Sequence, residues 1–171
     1  MTTGEAGAIL AGDALLTLAF KIISKDSDSK TACRQIVELS ESIGTRGMVG
    51  GQMIDLEFKG KKKNKNILTK INRLKTSKLF EASAKLGSIA AGAGEDAINA
   101  LGRFGALLGM AFQIRDDIID NGDYVGLFGT EKSRRDLHVL IEKAKRALKF
   151  FGKNSNHLME IADGISYRKN R

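Results

Sequence analysis

Positions 109–120 read GMAFQIRDDIID, an apolar helical run that carries three carboxylates where a buried helix would be expected to carry none. At 3.6 residues per turn, Phe112, Gln113, Asp116, Asp117 and Asp120 are related by spacings of three and four and share one side of the helix. Carboxylates this close repel one another unless a cation or a ring of donors sits between them. Mg²⁺ suits such a cluster, because it takes one or two protein carboxylates, keeps several waters and completes its shell with substrate phosphate oxygens. The plain alternative is a solvated helix end. The apolar run before the acids and Gln113 one turn back argue against it.

Two further groups could do related chemistry. Lys75 and Thr76 put an ammonium beside a hydroxyl, a point charge and a donor suited to phosphate oxygens. Gln52 and Asp55 lie three apart on one face of a second helical stretch, after Gly44, Gly47, Gly50 and Gly51. Each interior glycine costs a helix about 1 kcal/mol relative to alanine, so four in eight residues imply close helix approach or backbone approach to a ligand.

The elements that must position these residues are all helical by pattern. The chain has 171 residues, no proline and no tryptophan, and apolar residues recur every three to four positions. Helices are expected over 9–23, 30–57, 67–86, 96–120, 132–151 and 158–167, in one domain spanning 1–171 and long enough to bury a real core. Residues 26–29 form a polar break with an N-cap for the second helix, and Asn121, Gly122 and Asp123 form a turn. Asp13 reads as a packing or capping residue, and His138 and His157 carry no assigned role.

The net charge is +8. Between Phe58 and Lys78 stand nine basic residues and no acid, which accounts for the excess. A lysine-rich loop can bind nucleic acid, but no aromatic platform is interleaved and no binding module is recognisable. The expectation is a solvated loop that contributes in part to an anion site, with no nucleic acid bound. The single cysteine, Cys33, cannot form an internal disulfide, and no signal-like segment is visible, so a cytoplasmic location is expected. No stretch approaches the roughly 20 apolar residues of a membrane span, so no transmembrane segment is expected.

Taken together and in order, GEAGAILAGDALL at 4–16, GGQMIDL at 50–56, KTSKLF at 75–80 and GMAFQIRDDIID at 109–120 resemble the trans-isoprenyl diphosphate synthases, which include farnesyl, geranylgeranyl and longer polyprenyl diphosphate synthases. Residues 158–168 are similar to the last helix of that family. The resemblance implies an all-α, isoprenoid-synthase-type helical bundle around a deep cavity, usually a homodimer. It implies Mg²⁺ on Asp116, Asp117 and Asp120, bridging to the diphosphate of an allylic substrate that Lys75, Thr76 and Gln113 contact. Gln52 and Asp55 would line the cavity. The implied reaction is a head-to-tail condensation of isopentenyl diphosphate with an allylic diphosphate, with Lys75, Asp116 and Asp117 as catalytic groups. No side-chain nucleophile is needed, in keeping with the absence of a Ser-His-Asp or Cys-His arrangement.

Two departures from the family bear on this expectation. A first aspartate-rich motif and several helices would precede the stretch matching 4–16, so the chain is expected to be the C-terminal part of such a domain, its N-terminal helices missing. The segment after Asp120 is also short, and the lysines it would carry are gone; Lys132 is out of register to replace them. Three readings therefore stay open. They are a prenyltransferase read in part, a non-catalytic or regulatory subunit of a heteromeric synthase (or a truncated inactive paralogue), and a basic helical module that binds an acidic partner through Lys59, Lys61, Lys62, Lys63 and Lys65.

Overall fold

The computed structural model describes residues 4–26 and 28–167. Among them every regular element is helical: α1 (Glu5–Asp26), α2 (Ser29–Ile43), α3 (Met48–Glu57), α4 (Lys65–Asn72), a π-helical segment (Arg73–Ser77), α5 (Lys78–Ala90), α6 (Glu95–Asp120), α7 (Asp123–Phe128), α8 (Thr130–Ala147), a 3₁₀ segment (Leu148–Ser155) and α9 (Asn156–Tyr167). The all-α expectation holds. Met1, Arg168 and the basic tail lie outside the described residues.

The core forms around α6. Phe104, Leu108, Ala111 and Ile114 recur every three or four residues on one face of it and meet Leu137, Ile141 and Ala144 of α8, with Leu148 and Ala162 closing the cluster. Ile114 is 1 % exposed, so its truncation to alanine is expected to cost about 2–5 kcal/mol. A second face carries Gly105 and Gly109, which lie against α5 and the π segment. A Cβ on Gly109 would stand 2.6 Å from Ser77 Cα. The remaining face turns Gln113, Asp117 and Asp120 away from the core. One helix thus holds the core, packs closely on its neighbour and presents the acids.

Three expectations from the sequence change. The helix expected over 30–57 is broken, because Gly44 caps α2 by donating its N–H to Ser40 O and α3 restarts after Gly47, where a Cβ would lie 1.9 Å from Ser42 O. These two glycines make a corner, whereas Gly51 permits close approach. At the bundle's other end the helix expected over 132–151 stops at Ala147 and passes into the 3₁₀ segment, inside which Gly152, with φ 55°, leaves the helical conformation. The N-cap expected in 26–29 is Asp28, whose carboxylate accepts from the N–H groups of Lys30 and Thr31.

The third change concerns membrane-spanning length. Two helices are long and apolar enough to cross a membrane by length and composition, α1 and α6. Helix α6 is the core helix just described. Helix α1 packs on α2 along half-buried Ala19, Phe20 and Ile23 and leaves Ile9, Leu10 and Leu15 about two-thirds exposed.

Candidate functional site

Helices α3 and α6 and the π segment converge where the candidate residues lie. The π segment inserts one extra residue into an otherwise continuous helix, and such insertions are frequent at functional sites. It carries Lys75 and Thr76. Its neighbour Ser77 is buried and donates to Ala106 O at 2.6 Å, which ties the segment to α6. From the other side α3 presses on it through Gly51, where a Cβ would meet Lys75 N at 2.3 Å. The backbone of Lys75 is therefore held between two helices.

Side chains then form a chain of hydrogen bonds across the junction. Thr76 Oγ1 donates to Gln113 Oε1 at 2.9 Å, and Gln113 Nε2 donates to Asp117 Oδ1 at 3.3 Å. The second oxygen of Asp117 accepts from the backbone N–H of Tyr124 at 2.9 Å. Lys75 Nζ reaches Asp55 Oδ2 at 2.8 Å, while Lys63 Nζ takes the other oxygen, Oδ1, at 2.8 Å and also contacts Asp123. Five expected site residues, Lys75, Thr76, Gln113, Asp117 and Asp55, so belong to two adjoining networks.

Two hollows meet at Lys75. The first, about 340 Å³, is charged and is lined by Asp55, Asn72, Lys75, Gln113, Asp117, Asp120 and Asp123. The second, about 490 Å³, is an apolar groove along α3 lined by Met48, Val49, Gln52, Met53, Leu56, Lys75 and Thr76. Gln52 and Asp55 are thus divided between them, Asp55 in the charged hollow and Gln52 in the apolar groove.

The aspartates differ in setting. Burial pushes the Asp117 carboxyl up, and the charge of Asp123 adds to this, so its pKa is raised despite the bonds from Tyr124 and Gln113. Burial also pushes Asp55 up, but the ammonium groups of Lys63 and Lys75 outweigh it and hold the carboxyl below its ordinary value. Asp120 lines the charged hollow with Asp117, and Asp116 is not among the described lining residues. Consecutive positions on a helix point about 100° apart, so Asp116 stands to one side of Asp117.

Among the described residues no three acidic, histidine or cysteine side chains gather into a group able to hold a metal by themselves. The donor set around the charged hollow is nonetheless dominated by hard oxygen, with four lining carboxylates against one lining ammonium, that of Lys75. That fits a Mg²⁺ that uses one or two carboxylates and completes its shell with other oxygens, and it does not fit a closed protein cage.

Lys63 was not anticipated. The sequence placed it without distinction in a loop expected to be solvated and to contribute in part to an anion site, and its neighbours Lys59, Lys61, Lys62 and Lys65 are exposed. Its own side chain is only 11 % exposed. Lys132, by contrast, pairs with Asp136 and sits over the Phe128 ring, off the charged hollow.

The sequence pattern of the polyprenyl synthetase family matches residues 1–129. The chain belongs to that family. It is 36 % identical to the farnesyl diphosphate synthase of Escherichia coli (strain K12) over 193 residues, which covers 96 % of this chain and 64 % of that enzyme. The chain thus spans a little under two-thirds of the length of that polyprenyl synthetase. Among solved structures, an apo FPP/GFPP synthase from Zymomonas mobilis superposes with a TM-score of 0.87 at 34 % identity, covering 94 % of this chain and 61 % of the other. A geranyltransferase from Helicobacter pylori complexed with magnesium and isoprenyl diphosphate superposes with a TM-score of 0.80 at 29 % identity, covering 94 % and 59 %. The helical bundle described above is therefore that of the isoprenyl diphosphate synthases.

Proposed function

We propose that this chain carries the allylic-diphosphate site of a prenyltransferase of isoprenoid biosynthesis, one that condenses isopentenyl diphosphate head to tail with an allylic diphosphate in a Mg²⁺-dependent reaction. The observation that carries the reading is the meeting of a charged hollow and an apolar groove at Lys75. An amphiphile with a diphosphate head and a hydrocarbon tail matches that pair of surfaces, and a small polar substrate or a purely apolar one matches only half of it.

Each residue has a role in this reading. Lys75, held by Asp55, directs its remaining N–H groups to the diphosphate. Thr76 fixes the amide of Gln113, whose nitrogen then faces Asp117. Asp117 and Asp120, with Asp116 beside them, supply the carboxylates for Mg²⁺, and the bound ion would neutralise charge on the departing diphosphate oxygens. The groove along α3, with Gln52 at its wall, takes the hydrocarbon tail and keeps water from the reacting carbon. The uncovered apolar surface of α1 supports assembly as a homodimer or with a complete synthase, since apolar patches of this kind mark interaction surfaces.

The test is turnover of an allylic diphosphate with isopentenyl diphosphate, with and without Mg²⁺, for this chain alone and mixed with a complete homologue. Mg²⁺-dependent product in the mixture, lost on Asp117→Ala, is the expected result. Absence of both product and Mg²⁺-dependent binding of inorganic pyrophosphate overturns the reading.

A further inference from the structure

The lysine run between α3 and α4 holds one residue that behaves unlike the rest. Four of its lysines stay in solvent, as a chain with four flexible torsions and a strongly hydrated head prefers. Lys63 instead gives up most of its exposure and bonds two carboxylates from different elements, Asp55 of α3 and Asp123 at the start of α7. Ordering a lysine costs rotamer entropy, which a partly exposed ion pair offsets only in part. A loop that only needed closing could leave this lysine in solvent, as it leaves the four neighbours.

Its position does explain it. Both of its partners line the charged hollow. Asp55 gives one oxygen to Lys63 and the other to Lys75, so the two ammonium nitrogens are no more than about 8 Å apart, each one hydrogen bond from the same carboxylate. An ammonium has three N–H groups. Lys63 uses two on its carboxylates and Lys75 uses one on Asp55, so three donors are left over on two adjacent cations, of which Lys75 lines the cavity and Lys63 is bonded to two of its lining carboxylates. Burial pulls Lys63 toward the neutral form, but Asp123 and Asp55 outweigh it and keep the ammonium charged.

We infer that Lys63 is a second diphosphate-binding lysine of this site, held by Asp55 and Asp123 with its third N–H directed to a diphosphate oxygen while Lys75 bonds another. The inference rests on the proposed function, since it names a further residue for the same ligand head group. It assigns to Asp55 the task of spacing two cations, and to the loop after α3 a part in recognition.

Isothermal titration of the whole chain with inorganic pyrophosphate in Mg²⁺ buffer tests it, comparing wild type with Lys63→Met, Lys63→Arg, Lys62→Met, Lys75→Met and Asp123→Asn. Lys63→Met is expected to weaken binding about tenfold, as loss of a charge-assisted hydrogen bond does. Lys63→Arg should recover most of that loss, and the exposed neighbour variant Lys62→Met should bind like wild type. Asp123→Asn keeps the ammonium while removing one anchor and should bind at least as tightly as wild type, a result that a merely structural bridge would not give. Binding by Lys63→Met within twofold of wild type, alongside clear weakening by Lys75→Met, overturns the role of Lys63 and leaves the site standing. Equal weakening by Lys63→Met and Asp123→Asn also overturns it, because the bridge itself would then be what matters. No effect of Lys75→Met removes the diphosphate site and this inference with it.

Discussion

Thr76 donates its hydroxyl hydrogen to the side-chain oxygen of Gln113 at 2.9 Å, and that single bond fixes which end of the amide faces the acids. With Oε1 occupied by Thr76, Nε2 must point the other way, and it lies 3.3 Å from Asp117 Oδ1. An amide can serve both neighbours because it has an acceptor at one end and donors at the other. Gln113→Leu removes both bonds at nearly constant volume. Pyrophosphate affinity in Mg²⁺ buffer is expected to fall about tenfold, in line with loss of a hydrogen bond to a charged group, with the helical circular dichroism spectrum unchanged. Titration calorimetry on the variant checks this, and undiminished affinity would separate Gln113 from the site.

Burial disfavours the charge on Asp117, which sets stability in opposition to cation binding. Its folded-state pKa is raised, so its contribution to stability is fully present below its unfolded pKa and is lost as pH rises through the folded value. Asp117→Asn removes that loss and keeps an acceptor for the Tyr124 N–H. In metal-free buffer at pH 7 the variant is expected to melt at the same temperature as wild type or higher. Mg²⁺ with pyrophosphate should raise the wild-type melting temperature and leave the variant's unmoved. Paired thermal melts with and without the ion make the comparison.

Asp55 behaves in the opposite sense. Lys63 and Lys75 outweigh its burial and depress its pKa, so its contribution is present above its unfolded value and is lost as pH falls through the folded one. Glu81 and Asp136, each with lysine partners, follow the same sign. Stability should therefore fall off below about pH 4, where these carboxyls begin to protonate in the unfolded chain while still charged in the folded one. Asp55→Asn should flatten that acid limb. Urea denaturation across pH 3 to 6 for the two proteins measures the difference.

Much of this was legible in the sequence, for physical reasons that differ from residue to residue. Periodicity alone marked α6, because its apolar face repeats without interruption from Phe104 to Ile114, and the acids on its other side stood out against that background. Lys75, Thr76 and Asp55 were legible as types, but the π segment that aims the first two leaves no mark in composition, since it depends on Gly51 and Gly109 admitting α3 and α6 from outside. The break at Gly44 and Gly47 was misjudged because a glycine that makes a corner and one that permits close packing look the same in a string. Lys63 was hidden by its own neighbours. In a run of lysines only a tertiary contact distinguishes the one that turns inward.

Gly51 converts this packing into a measurable effect. A methyl group there would stand 2.3 Å from Lys75 N and 2.7 Å from Leu74 Cβ, so either α3 or the π segment must shift. Overpacking of this kind costs about 1–3 kcal/mol, or roughly 2–4 °C of melting temperature per kcal/mol for a chain of this size. Because the displaced atom belongs to Lys75, pyrophosphate binding should fall as well. Gly12→Ala is the matched control, since nothing lies within 4 Å of its added methyl group. It should stabilise α1 by about 1 kcal/mol through helix propensity alone and leave binding untouched.

Helix α1 makes the last prediction. A helix that is apolar around most of its circumference is normally buried, yet Ile9 and Leu10 are each 66 % exposed and Leu15 67 %. Burial of apolar surface is worth about 25 cal/mol per Å², so a face of this kind drives association with whatever covers it. The chain is expected to self-associate in a concentration-dependent way, and the double variant Ile9→Lys, Leu15→Lys should shift it toward the monomer. Since α1 contacts the bundle chiefly through Ala19, Phe20 and Ile23, the substitutions should leave the packing of α5, α6 and α8 intact. Sedimentation velocity at several concentrations, alongside thermal melts, separates the two effects. A variant that associates as strongly as wild type would locate the association elsewhere on the molecule.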